Sequence, residues 1–502
     1  MRANLVKTIK LLVVVLVSLL LWNLPSTAFG IPDLTILQQR MIAIFVFAAL
    51  MWILEVVPAW VTSVLIIVVM LFTVSDSSLA CLINPDNFPD SQRELDEVTQ
   101  ELGKVSGLIS YKAIMSCLAD QTVMLFLGGF VLALVASKIG VDVTLARVML
   151  KPFGTNSNVV LLGFIFVTAI FSMFISNTAT AAMMLTFLAP VLKSLPENEK
   201  GRIALALAIP IGCNIGGIAT PIGTPPNGIA LGYINKAVSE GGLGYNIGFP
   251  DWMMMMFPLM VVILLIAWVV LRTIYGFSSK KIELKIEGGA QQGWQTTTIY
   301  ITLVATILLW CFGKTLGVNP YVVALFPVGV FSATGIIGAK DLQQLDWAVL
   351  WMVAGGFALG LGMDKTGLAD ALVKAIPFST WPVLLVLFGG GIICWLLSTF
   401  ISNSASAALM VPILCAVGKG MESQLAGIGG TVVLIIGVAL SASFAMALPI
   451  STPPNAIAYS TGLIKSSQMA KIGVLMGVIS LVIAYVMLVV LGQLGIFEAF
   501  KA

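Results

Sequence analysis

The chain has 502 residues, of which 59% are hydrophobic and only 10% charged, with a formal net charge of +3. A soluble domain carries about 25% charged residues, so the composition excludes a soluble enzyme and describes an all-α polytopic membrane protein. The small, dispersed charge excludes nucleic acid as a partner. The lack of histidine removes His-based metal sites, general bases and pH switches, and the six cysteines show no C-x-x-C spacing.

Arg2, Lys7 and Lys10 precede an apolar run at 11–24. A signal peptide has the same layout, with Ser26-Thr27-Ala28 as a weak cleavage site. A chain with this many spans needs none, and the run is read as the first span. Further spans follow at 41–57, ending near Glu55 and Pro58, and at 60–74. Segment 75–118 is different: it is polar and acidic, with Asp76, Asp86, Asp90, Glu94, Asp96, Glu97 and Glu101. It reads as a solvent-exposed insertion with at most a short amphipathic helix. Cys81 and Cys117 stand at its two ends. They are either unrelated thiols or, if the loop faces an oxidising compartment, a disulfide.

A span at 121–139 and an interfacial helix at 141–152, with Arg147 and Lys151, lead to an apolar stretch at 159–192. A spanning helix needs about 20 residues, so this stretch is too long for one span and too short for two. Ser176-Asn177-Thr178 lies at its middle, which predicts a re-entrant hairpin with the polar tripeptide at its tip. Non-helical backbone at that depth must line a cavity or be buried in protein. The helix at 203–233 is broken by Gly216-Gly217 and Thr224-Pro225-Pro226, since proline removes a donor and clashes with the preceding turn. Next come a plain span at 253–275, a basic linker with Lys280, Lys281 and Lys285, and spans at 299–316 and 322–337. The plan then recurs: a span at 347–362, an interfacial helix at 368–377, a hairpin at 381–417, a broken helix at 428–461 and a last span at 472–494.

The recurrence is written in the residues. Phe174-Ile175-Ser176-Asn177-Thr178-Ala179-Thr180 is answered by Phe400-Ile401-Ser402-Asn403-Ser404-Ala405-Ser406. Thr220-Pro221-Ile222-Gly223-Thr224-Pro225-Pro226-Asn227 is answered by Leu448-Pro449-Ile450-Ser451-Thr452-Pro453-Pro454-Asn455. Gly128-Gly129-Phe130 is answered by Gly355-Gly356-Phe357. The spacings are 226 from Ser176 to Ser402, 228 from Asn227 to Asn455 and 227 from Phe130 to Phe357. The chain divides into N-terminal scaffold spans with the insertion (1–118), a first repeat (119–250), linking spans (251–345) and a second repeat (346–502).

With the N-terminus cytoplasmic, eleven spans and two hairpins place about 16 Lys and Arg inside and about 10 outside. The acidic insertion then falls outside. The odd number of spans between matched elements orients the repeats oppositely, the inverted-repeat plan of secondary transporters in the plasma membrane.

Asn offers an amide donor and a carbonyl acceptor, and Ser and Thr hydroxyls do both. Helix N-termini at the tips attract anions, while exposed carbonyls and hydroxyls suit a hard cation such as Na⁺. Neither tip and neither Thr-Pro-Pro-Asn break holds a Lys or Arg. An anionic substrate would therefore have only dipoles and co-bound cations to offset its charge. Such residues also serve simply as interhelical hydrogen bonds, but four motifs in two matched copies favour a site. A cation/proton antiporter would need a membrane-embedded acid, and the candidates Glu55 and Asp120 lie near span ends. A membrane hydrolase would need a nucleophile with a base, and the spans hold no convincing pair.

At these residues the chain resembles the divalent anion:sodium symporter family of dicarboxylate, tricarboxylate and sulfate carriers, from Glu55-Val56-Val57-Pro58 to the last span. The resemblance implies a homodimer, each protomer with a scaffold and a mobile transport domain working as an elevator. It implies one sodium site at Ser172, Ser176, Asn177 and the Gly223 backbone. A second falls at Ser398, Asn403 and the Ser451 backbone. Substrate carboxylates would meet Asn177, Thr178, Asn403, Ser404 and Pro453. Ser404 stands where many dicarboxylate carriers have Thr, and the insertion is longer than usual. Sodium-independent exchangers of the family are expected to place basic groups near the cation positions; none is evident here. The function implied is sodium-coupled import of four-carbon dicarboxylates, with sulfate or citrate transport, or sodium-independent exchange, as alternatives.

Overall fold

The computed structural model describes residues 2–95, 102–193, 195–282, 289, 292–375 and 380–501. Asp96, Glu97, Glu101, Lys285 and Pro377 lie outside the described residues. The fold is helical, and unbroken apolar runs rich in Leu, Ile, Val, Met and Ala form the helices. Among the described residues nine helices are long and apolar enough to cross a membrane, from Leu5–Asn23 to Ser466–Gln493. Eleven spans were expected. The difference lies in apolar helices that are short: Ala59–Thr73 and Pro320–Ala333, for example, fall below a full span in length.

Seven helices recur in the same order. The first set is Gln121–Ile139, Val141–Leu150, Ser157–Ser172, Asn177–Lys193, Gly201–Gly216, Pro225–Asn235 and Phe249–Ile274. The second is Trp347–Lys365, Leu368–Ala375, Val383–Phe400, Asn403–Gly420, Thr431–Ser443, Pro453–Ser460 and Ser466–Gln493. The sets are interlocked. The hairpin helix Asn177–Lys193 packs on Pro453–Ser460, and its counterpart Asn403–Gly420 packs on Pro225–Asn235. Gly201–Gly216 and Thr431–Ser443 are almost wholly buried, so the broken helices form the centre of the protein.

The insertion is more structured than expected. Residues Arg93–Leu95 and Leu102–Val105 pair as an antiparallel hairpin. Val105, Ile109 and Ile114 are buried, and the Ile109 N–H donates to the Val74 carbonyl at 3.0 Å. The Gln92 side chain accepts from the Ile36 N–H at 3.1 Å, and Arg40 lies over the rings of Trp22 and Phe88. The insertion is thereby bound to the first spans. Cys81 and Cys117 are free thiols, which corrects the disulfide alternative. Cys81 is exposed on the short helix Ala80–Ile83. Cys117 is buried in the chain leading into the next span, its thiol turned to the Ala113 carbonyl at 3.5 Å.

Candidate functional site

Both tripeptides are helix starts. Ser176 Oγ accepts from the Ala179 N–H at 3.3 Å, and Ser402 Oγ accepts from the Ala405 N–H at 3.3 Å. In each case the serine caps the second arm of its hairpin, satisfying one of the four N–H groups a helix leaves unpaired at its start. Asn177-Thr178 and Asn403-Ser404 occupy the first two helical positions, where the remaining N–H groups and the positive end of the dipole face outward. The prolines act the same way. Pro225 and Pro453 open the second halves of the broken helices, a position where the missing N–H costs nothing.

The asparagines of the two breaks have a structural task. Asn227 Nδ2 donates to the carbonyls of Gly217 at 3.0 Å and Thr220 at 2.8 Å. Asn455 Nδ2 donates to those of Met446 at 2.8 Å and Leu448 at 2.9 Å. These carbonyls belong to the interruption itself, where the helical partners are lost. A hydroxyl then ties each break to its hairpin. Thr220 Oγ1 donates to the Met173 carbonyl in the first half. Ser451 Oγ donates to the Thr399 carbonyl at 2.7 Å in the second.

Behind each tip sits a cluster of three oxygens. Ser172 Oγ lies 2.8 Å from the Cys213 carbonyl and in close contact with Asn177 Oδ1. Ser398 Oγ lies 2.9 Å from the Ala442 carbonyl and 2.8 Å from Asn403 Oδ1. A hydroxyl has one proton, and amide and backbone oxygens have none. With the amides turned this way, one oxygen–oxygen contact in each cluster lacks a proton, and three converging oxygens are chemically suited to a hard cation. Beside the first cluster, a Cβ on Gly217 would stand 3.0 Å from the Gly223 carbonyl oxygen and 3.1 Å from Asn177 Oδ1. That cradle is open only because residue 217 has no side chain. Neutral oxygens from a broken helix and a hairpin are the ligand set that suits Na⁺ in transporters.

The tips share one cavity of about 200 Å³. Ser176, Asn177, Thr178 and Gly223 line it from the first half; Ser402, Asn403, Ser404, Ser451 and Pro453 line it from the second. Ser172 and Ser398 do not reach it; both are fully buried behind the asparagines. Thr178 is exposed whereas Ser404 is buried. Apolar walls come from Phe126, Phe130, Val349 and Met352. Among the described residues no Lys or Arg lines the cavity, but Asp346 does, and its carboxylate caps Trp347–Lys365 through the Val349 N–H at 3.2 Å. Sequence reasoning missed Asn214, Thr224, Thr452 and Asp346, which all line the cavity. Thr224 and Thr452 were within the matched motifs and could have been found there. Phe130 of the Gly-Gly-Phe pair lines it too, while its counterpart Phe357 packs on Tyr233 with ring centroids 6.0 Å apart.

A family model described as citrate transporter matches residues 49–429. The chain belongs to that family. The match includes both hairpin tips and the first break. An uncharacterized transporter of Haemophilus influenzae is 31% identical to this citrate-family chain, over 75% of it and 82% of the relative. The sodium-dependent dicarboxylate transporter SdcS of Staphylococcus aureus is 28% identical over 94% and 90%. The inorganic phosphate transporter PHO87 of Saccharomyces cerevisiae is 27% identical over 91% of this chain, which spans only 46% of that longer protein. Two solved structures share the fold at 14% identity and a TM-score of 0.53: Neisseria gonorrhoeae MtrF, covering 92% of this chain and 96% of its own, and the Alcanivorax borkumensis YdaH transporter, covering 80% and 93%. The protein is a multi-pass secondary transporter of the citrate and dicarboxylate type, and not an enzyme.

Proposed function

We propose that this citrate-family transporter imports four-carbon dicarboxylates such as succinate, malate and fumarate across the plasma membrane, coupled to Na⁺. The observation that carries the reading is the pair of capped helix starts facing one cavity, each backed by an oxygen cluster one proton short. One sodium ion is held by Ser172, Ser176, Asn177 and the Gly223 backbone. A second is held by Ser398, Asn403 and the Ser451 backbone. Each substrate carboxylate takes one tip, at Asn177 and Thr178 or at Asn403, Ser404 and Pro453. The relative named as a sodium-dependent dicarboxylate transporter, matched over most of both chains, supports the cation and the substrate class.

The two sets of seven helices act as an inverted repeat. They move as an elevator against a scaffold in a homodimer, with the N-terminus cytoplasmic. Citrate is the second reading, favoured by the description of the matching family and by Ser404, which leaves the cavity one methyl wider than threonine would. One methyl is worth about 1–3 kcal/mol of selectivity, enough to rank related acids. Uptake of labelled succinate into proteoliposomes, competed by excess malate, fumarate, citrate and sulfate, tests the substrate. Competition by the four-carbon acids is expected. Sodium-driven uptake of citrate or sulfate with no uptake of succinate would overturn the dicarboxylate assignment.

A further inference from the structure

A second cavity, about 570 Å³, lies between the N-terminal helix Arg2–Asn23 and the second hairpin tip. Lys7 and Lys10 enter it from the helix, Glu55 from the turn after Ile36–Ile53, and Ser402 from the tip. Ser402 also lines the substrate cavity. The tip is thus the wall between the two spaces.

The helix is anchored so that these lysines are held in place. Val14 is fully buried against Met51 and Val56. Gln39 Nε2 donates to the Leu21 and Trp22 carbonyls, each at 3.1 Å. Lys10 Nζ donates to the Leu54 carbonyl at 2.9 Å, which uses one of its three N–H groups. Glu55, one residue on, adopts a left-handed backbone at φ 48°, uncommon for a residue with a side chain. Among the described residues no carboxylate lies within ion-pair distance of Lys7 or Lys10, Glu55 included. Two lysines against one glutamate leave the cavity positive. Lys7 is exposed and Lys10 half-buried, both near the start of the helix, where long basic side chains reach the membrane interface.

We propose that this cavity is an anion vestibule, in which Lys7 and Lys10 collect a small dianion at the membrane face nearest the N-terminus and pass it to or from the substrate cavity past Ser402. The inference rests on the reading of the substrate as an anion. It places the basic charge the substrate cavity lacks just outside it. A lysine within the binding site would hold the anion through release, whereas a vestibule raises its local concentration without trapping it. The two lysines stand about 8 and 12 Å along the helix from its first residue, within a Debye length or so of that face at physiological salt.

The test is a Lys7→Gln/Lys10→Gln double variant, with Lys7→Arg/Lys10→Arg as the charge-preserving control, in proteoliposomes of defined orientation. Initial rates of labelled succinate transport are measured from each face at constant sodium, in low and high ionic strength. At low ionic strength KM at the N-terminal face is expected to rise about tenfold in the glutamine variant. That gap should close in high salt, the maximal rate and the KM at the opposite face should hold, and the arginine variant should match wild type. An unchanged KM at the N-terminal face, or an equal rise at both faces, would overturn the vestibule. Wild-type protein in the same vesicles separates the two levels: if it carries neither succinate, citrate nor sulfate, the reading of the substrate as an anion fails and the vestibule with it.

Discussion

Asn214 Nδ2 donates to Asn455 Oδ1 across 3.2 Å, a buried bond between residues 241 positions apart that joins the first broken helix to the second. Asn455 is oriented by its own donations to Met446 and Leu448, so its oxygen is the atom it presents. Asn227, its counterpart, is held alike by Gly217 and Thr220. Cys213 and Ala442 hold matching places in the two clusters, so the counterpart of Asn214 is Ser443, whose shorter side chain donates to the Ala439 carbonyl at 3.1 Å instead, and among the described residues Asn227 Oδ1 is buried without a partner. The asparagine bond between the broken helices is therefore made on one side only. Asn214→Ala strands Asn455 Oδ1, and an unsatisfied buried group costs about 1–3 kcal/mol. Thermal unfolding of the purified variant should show that loss, and an unchanged midpoint would mean the bond contributes nothing.

At the tips, Asn177→Ala and Asn403→Ala each remove an amide that faces both an oxygen cluster and the shared cavity. A lost hydrogen bond to a charged group is worth about 1.5–3 kcal/mol, or about ten- to a hundredfold in affinity. Uptake should fall at least that far in each variant while the protein remains folded. Near wild-type transport by either well-folded variant would remove that asparagine from the site.

Ser172 and Gly217 separate the cation from the substrate, because neither lines the shared cavity. Ser172→Ala takes an oxygen from the first cluster, and Gly217→Ala puts a methyl into the cradle beside Asn177. Both should raise the sodium concentration needed for half-maximal uptake by about tenfold, with much of the succinate affinity recovered at saturating sodium. Equal weakening at every sodium concentration would argue for a purely structural role.

These contrasts mark what the sequence made legible. The hairpins and breaks were readable because Ser-Asn-Thr and Thr-Pro-Pro-Asn are local signals in apolar surroundings, and serine caps and proline starts act within a few residues. The strands Arg93–Leu95 and Leu102–Val105 were not, being too short for an alternating pattern to register. Asn214 was missed because an asparagine in an apolar run gives no hint that its partner lies in the other half of the chain. Asp346 was missed because a capping aspartate at a span end looks the same whether or not a cavity opens beside it. The free Cys117 was hidden for a related reason: burial against the Ala113 carbonyl is a tertiary fact, whereas spacing around a loop is all that the sequence displays.

A pH effect is expected away from the site. Glu199 accepts from the Ser278 N–H at 3.0 Å and from the Ser279 N–H and hydroxyl, each at 3.1 Å. Burial pushes its carboxyl up, but these hydrogen bonds outweigh it and hold the group below its ordinary 4.5. The clasp is therefore fully present above about pH 4.5 and is lost as pH falls through the lower folded value. Glu199→Gln should destabilise the protein at pH 7 by about 1–3 kcal/mol, and the gap from wild type should shrink as both are melted at lower pH. A constant gap down to the acid limit would show that the carboxylate is not the clasp.

The most direct measurement is the affinity of purified protein for labelled succinate in sodium and in choline at equal ionic strength. A cation about 4 Å from a carboxylate contributes about 4 kcal/mol at an effective dielectric of about 20, or about a thousandfold in affinity. Binding should thus be tight in sodium and weaker by two to three orders of magnitude, as an approximate range, in choline. By reciprocity, succinate should tighten sodium binding by the same factor. Equal succinate affinity in the two salts would contradict a site in which sodium ions and helix starts together hold the anion.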